Sequence, residues 1–165
     1  MDAKFMLNGL TRELRLFLLL FVIVLTAGVT VGIIYLGSTS EMKMSGIEDH
    51  YKGSVVENEY DIPEKYPRSV KDLLLTTHNH LISLSMVFLL IGGLFSINSM
   101  ISGKLKWFLI YEPFVSILLT FGGIWGLRFV HPIFLWITAI SGVLMYVCYY
   151  IMAAVCIWEL STAKK

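Results

Sequence analysis

The chain predicts an all-α fold, a bundle of four transmembrane helices with one long outer loop between the first and second. Three observations point there. Of its 165 residues 56% are hydrophobic and only 15% are charged, and the mean hydropathy is +0.73. Four apolar runs each reach the roughly 20 helical residues needed to cross about 30 Å of hydrocarbon. The runs are apolar on every face, whereas strands of a transmembrane barrel alternate apolar and polar residues over about ten positions, so helices must satisfy the backbone. This composition excludes a disordered chain. A net charge of +1 with a pI near 7.8 leaves no basic footprint for nucleic acid.

The first run extends from about Leu16 to Leu36 and the second from Leu73 to Met100. The third covers Trp107 to Phe129 and the fourth Pro132 to Trp158, which makes residues 1–165 one integral membrane domain. Lys4, Arg12 and Arg15 precede the first run as they would in a secretory signal. The run is longer than the ~7–15 residues of a signal's apolar region, and Gly28, Gly32 and Gly37 suit helix packing, so a retained helix is expected. The outer loop, about residues 38–72, carries eight acids against five bases. Lys and Arg are denser in the N-terminal segment, in Ser102 to Lys106 and at Lys164 and Lys165, which predicts both termini on the cytoplasmic side. Gly28 with Gly32 and Gly122 with Gly126 form GxxxG steps, and Gly92 with Ser96 a similar small-residue step. Cys148 and Cys156 fall eight positions apart on one helix, about 12 Å, too far to pair.

All four histidines fall at the outer boundary: His50 in the loop, His78 and His80 at the start of the second helix, and His131 at the start of the fourth. On an α-helix His78 and His80 point about 200° apart. His78 aligns with Ser85, Gly92, Ser96 and Ser99, and His80 with Leu84, Val87, Ile91 and Leu94. If small residues mark the packed face, His78 is the interior ligand; were the segment extended, the two would form a metal clip. His131 precedes Pro132, which suits a first helical turn. His78 and His131, on two helices entering from one side, are expected at similar depth, the arrangement that a bis-histidine haem b requires. Gly122, Gly123 and Gly126 would give a porphyrin clearance. Arg128 would pair with a propionate or, alternatively, anchor at the lipid headgroups. A copper or zinc site on His50, His78 and His80, with Met42 or Met44, is the competing metal reading. No second histidine layer supports a two-haem wire. Glu112, followed by Pro113, is an acid inside the third span, a candidate for proton uptake or partner contact, or a hydrogen-bonded acid near the inner interface. Nothing resembles a hydrolase triad, a phosphate loop or a transporter repeat.

The segment Met44-Ser-Gly-Ile-Glu-Asp-His50-Tyr51-Lys52-Gly53, then Tyr66-Pro67-Arg68-Ser69 and Thr77-His78-Asn79-His80, resembles a family of small, functionally unassigned bacterial four-helix membrane proteins. These share a His-Tyr-Arg/Lys-Gly loop, a Pro-Lys/Arg-Ser step and a Thr-His-x-His helix entrance; here Arg68 stands where Lys is more usual. The resemblance covers the central third of the chain and singles out His50, Tyr51, His78 and His80, without implying a cofactor. The leading expectation is a bacterial inner-membrane subunit that binds haem b, or another metal centre, near the outer face and takes part in respiratory electron transfer with a redox partner. The alternatives are a non-catalytic accessory subunit of a larger membrane complex, whose glycine steps and acidic loop dock onto it, and an outer-face copper or zinc handler. None of the three is an enzyme on its own.

Overall fold

The computed structural model of the protein describes residues 6–40, 43–54 and 62–162. Lys4, Glu41, Met42, Glu57, Glu59, Asp61, Lys164 and Lys165, used in the sequence reading, lie outside these. Five helices follow in order: α1 (Arg12–Ser40), α2 (Met44–Lys52), α3 (Val70–Ser96), α4 (Gly103–Phe129) and α5 (Phe134–Thr162). Among the described residues there is no strand. All but α2 are long and apolar enough to cross a bilayer.

The helix ends depart from the apolar runs by a few residues, and polar side chains close two of the starts. Thr11 accepts the Leu14 amide at 3.5 Å before α1. Ser69 accepts from the Asp72 amide at 3.1 Å while its hydroxyl donates to the Asp72 carboxylate at 2.8 Å before α3. The second apolar run continues to Met100, yet α3 stops at Ser96. There Asn98 takes over the turn, donating to the Phe95 carbonyl and accepting the Ile101 amide at 2.7 Å. The fourth helix starts two residues later than the Pro132 signal, after a turn over residues 131–134.

α5 is the central helix, packed most extensively on α4 and also on α1 and α3, while α3 packs on α4. Phe88, Ile91 and Phe95 of α3 meet Ile117 and Phe121 of α4 and Tyr149 and Met152 of α5 in the core. α4 and α5 approach closely because two glycines let them. A Cβ at Gly123 would run into the Thr138 hydroxyl and lie 3.2 Å from its backbone nitrogen; one at Gly126 would strike the Phe134 ring. The working step is therefore Gly123–Gly126. Gly122 of the expected GxxxG pair faces open space.

The ends of α1 and α5 meet, since Arg12 and Arg15 line a small cavity with Leu160 and Ser161. The start of α1 and the end of α5 thus share one end of the bundle, and the α3–α4 turn lies there too. Leu7, fully buried, donates its amide to the Ile97 carbonyl at 3.1 Å. At the opposite end α2 lies against α1, α4 and α5. All four histidines sit toward that opposite end.

Candidate functional site

The loop that carries the His-Tyr-Lys-Gly and Tyr-Pro-Arg-Ser segments is zipped to itself. Gly53 closes α2 with φ +87°, and a Cβ there would lie 2.8 Å from the Pro67 Cδ and 3.0 Å from the Lys65 carbonyl, so only glycine suits both the backbone and the space. The Ser54 amide donates to the Lys65 carbonyl at 2.9 Å, the Lys65 amide donates to the Ser54 hydroxyl at 3.0 Å, and the Arg68 amide donates to the Tyr51 carbonyl at 3.2 Å. This pairing brings Arg68 to His50, whose Nε2 receives a guanidinium N–H at 3.1 Å. A guanidinium only donates, so the imidazole is neutral with its proton on Nδ1. Burial, then Arg68 and Lys65, hold the His50 pKa below its ordinary value. Tyr51 meets the His50 ring edge-on, and burial raises its phenol, with Arg68 opposing. Arg128, at the last turn of α4, donates from Nε to the Arg68 carbonyl at 3.5 Å and lies over the Phe129 ring.

His80 donates from Nδ1 to the Thr76 carbonyl at 2.8 Å, and its ring lies 5.2 Å from that of Phe121 on α4. His78 is exposed. The buried residues of α3 are Leu73, Phe88, Ile91, Gly92, Leu94 and Phe95, so neither histidine is interior and the assignment of His78 to the interior is corrected. Of the small residues aligned with His78, Gly92 is buried, whereas Ser96 spends its hydroxyl on the Gly93 carbonyl of its own helix. His131 accepts the Ile133 amide at Nδ1, 3.1 Å away, and so closes the turn into α5.

The contacts between α3 and α4 also set depth. Trp125 donates to Thr77 and His80 rests on Phe121, which places His78 level with about Ile124. That is five residues, about 7.5 Å, inward of the α4 end, and His131 lies beyond that end. The expected equal depth of His78 and His131 is not what this register gives. Gly126 is filled by Phe134, so it offers a porphyrin no clearance, whereas Gly122 stays open. Among the described residues no three His, Cys, Asp or Glu side chains gather as metal ligands do.

Two acids within the bundle, Glu112 half-buried and Glu159 buried, complete the polar inventory. Glu112 receives the Ser116 hydroxyl at Oε1, and its buried Oε2 has no hydrogen-bond partner. Glu159, 4% exposed, was missed by the span reading because it falls one residue past the fourth apolar run. It accepts the Ser99 amide at 3.0 and 3.1 Å and the Ser99 hydroxyl at 2.7 Å. An acid ending an apolar helix, with serine and asparagine in the turn opposite, was the signal available.

Four apolar spans, with a buried acid held by the turn opposite it, define a multi-pass helical membrane protein. The sequence matches a family of transmembrane helical domains, Aq_1264_TM, over residues 41–165, and the chain belongs to that family; α1 precedes the matched segment. Neither the curated proteins nor the solved structures contain a match.

Proposed function

We propose that the protein is a non-catalytic subunit of a larger membrane assembly and docks through α1. The observation that carries this reading is unused close-packing capacity: around Gly28 and Gly32 of α1, Gly93 of α3 and Gly122 of α4, nothing lies within 4 Å of an added Cβ. Glycines in spans let a second helix approach, and in lipid that approach replaces the hydrophobic drive. The density of Lys and Arg favours both termini on the cytoplasmic side, which sets the histidine end outward, and the resemblance to bacterial membrane proteins supports an inner membrane. Gentle extraction followed by native mass spectrometry tests the proposal. Wild type is expected to emerge with a partner chain that Gly28→Leu with Gly32→Leu releases; a lone monomer from both preparations would overturn it.

A second reading, an electron-transfer subunit with haem b or a copper or zinc ion, draws support from His80. Its Nδ1–H is held by a backbone carbonyl, which leaves the Nε2 lone pair available as in ligating imidazoles. His131 has the opposite arrangement, so a metal would take His80 first, with Arg128 within reach of the loop for a propionate. Absence of both an α-band in the reduced-minus-oxidised spectrum and bound metal in elemental analysis sinks this reading.

A further inference from the structure

Three cationic side chains and one imidazole converge at the histidine end from separate stretches of chain. Arg68 and Lys65 come from the segment before α3, Arg128 from the last turn of α4 and His50 from α2. Lys65 and Arg68 both press on His50 electrostatically. Their hydrogen bonds leave the group with donors only. Arg68 spends one N–H on His50, and Arg128 spends its Nε on the Arg68 carbonyl. A guanidinium has five N–H groups and no acceptor, a lysine ammonium three donors, and a neutral imidazole accepting at Nε2 keeps an N–H at Nδ1. Among the described residues no carboxylate lies within ion-pair distance of Lys65, Arg68 or Arg128; the ion pair nearby joins Lys52 to Glu48 at 3.0 Å. Asp72, one turn from Arg68, is turned to the Ser69 hydroxyl.

The backbone zipper at Gly53 and Pro67 holds these like charges together, although repulsion would part them in a free loop. A multivalent oxygen anion removes that repulsion and matches planar forks from two directions. The place narrows the choice further. Arg128 ends a membrane span over the Phe129 ring, beside the exposed Val130, which is headgroup depth.

We infer that Arg68 and Arg128, flanked by Lys65 and His50, form a phosphate-binding cradle at the membrane surface whose occupant is the phosphodiester headgroup of an anionic lipid. The test uses the full chain in detergent, exchanged into phosphatidylglycerol or phosphatidylcholine and followed by native mass spectrometry. Wild type is expected to retain one phosphatidylglycerol at least tenfold more than phosphatidylcholine. Arg68→Gln and Arg128→Gln, which keep the side-chain bulk and polarity, each lose most of that preference, while Lys104→Gln at the other end of the bundle keeps it. Displacement of the lipid by millimolar inorganic phosphate would assign the cradle to free phosphate; resistance assigns it to the lipid. Helical circular dichroism on each variant separates lost binding from lost fold, and Arg128→Lys should restore part of the retention in a folded protein. Equal retention of the two lipids by wild type, or an unchanged preference in a folded Arg68→Gln, Arg128→Gln double variant, would overturn the inference.

Discussion

α1 and α4 both pack on α5, by different means. In the most apolar window of α1 only 6% of residues are buried, against 39% in α4 and in α5. α4 meets the α5 backbone at Gly123 and the Phe134 ring at Gly126, whereas α1 is attached by Val22 and by two hydroxyl pairs: Thr26 with Tyr149 at 3.2 Å and Thr30 with Tyr150 at 2.8 Å. In lipid, where burial of apolar surface between helices gains little, contact rests on close packing and hydrogen bonds. The comparison teaches that a glycine step is a packing device only where a neighbour occupies it. The GxxxG of α1 is as regular as that of α4, yet within this chain it is empty.

The largest expected effect is at the filled step. Gly123→Ala should destabilise the protein by about 3 kcal/mol, at the upper end for overpacking, because the Thr138 backbone cannot retreat; equilibrium unfolding in mixed micelles measures it. Tyr150→Phe removes one hydroxyl pair and should cost about 0.6 kcal/mol, the average for such bonds in membranes, with protease cleavage near α1 rising accordingly. Gly28→Ala should leave monomer stability within about 0.5 kcal/mol or improve it slightly, since alanine favours helix and meets nothing. A loss as large as that at Gly123 would break the comparison. The smallest effect is in the loop over α1, α4 and α5. His50 has a lowered folded pKa, so the unfolded chain binds more protons near pH 6.5. Its contribution is present above that pH and fades as pH falls through the folded value. His50→Gln should flatten the difference between the pH 7.5 and pH 5.5 unfolding midpoints.

The spans were readable because four runs of apolar residues have only one solution in a bilayer. Which face of each helix turns inward was not, because every face is apolar and no polar stripe marks the core. This is why the exposure of His78 was not foreseen, and why Gly123 rather than Gly122 partners Gly126. The pairing of Gly53 with Pro67 joins residues whose relation depends on a chain reversal, so the segments stood out by resemblance while the Arg68–His50 contact they build did not. Glu159 escaped because span boundaries blur by a few residues.

The Ser99 amide and hydroxyl in the turn between α3 and α4 are received by Glu159, near the far end of α5, and the Ile97 carbonyl is met by Leu7. During synthesis the α3–α4 hairpin therefore enters the membrane with its turn unfinished. The acceptor that completes it lies 60 residues further along the chain, so this helical pair becomes fully hydrogen-bonded only after α5 has been made.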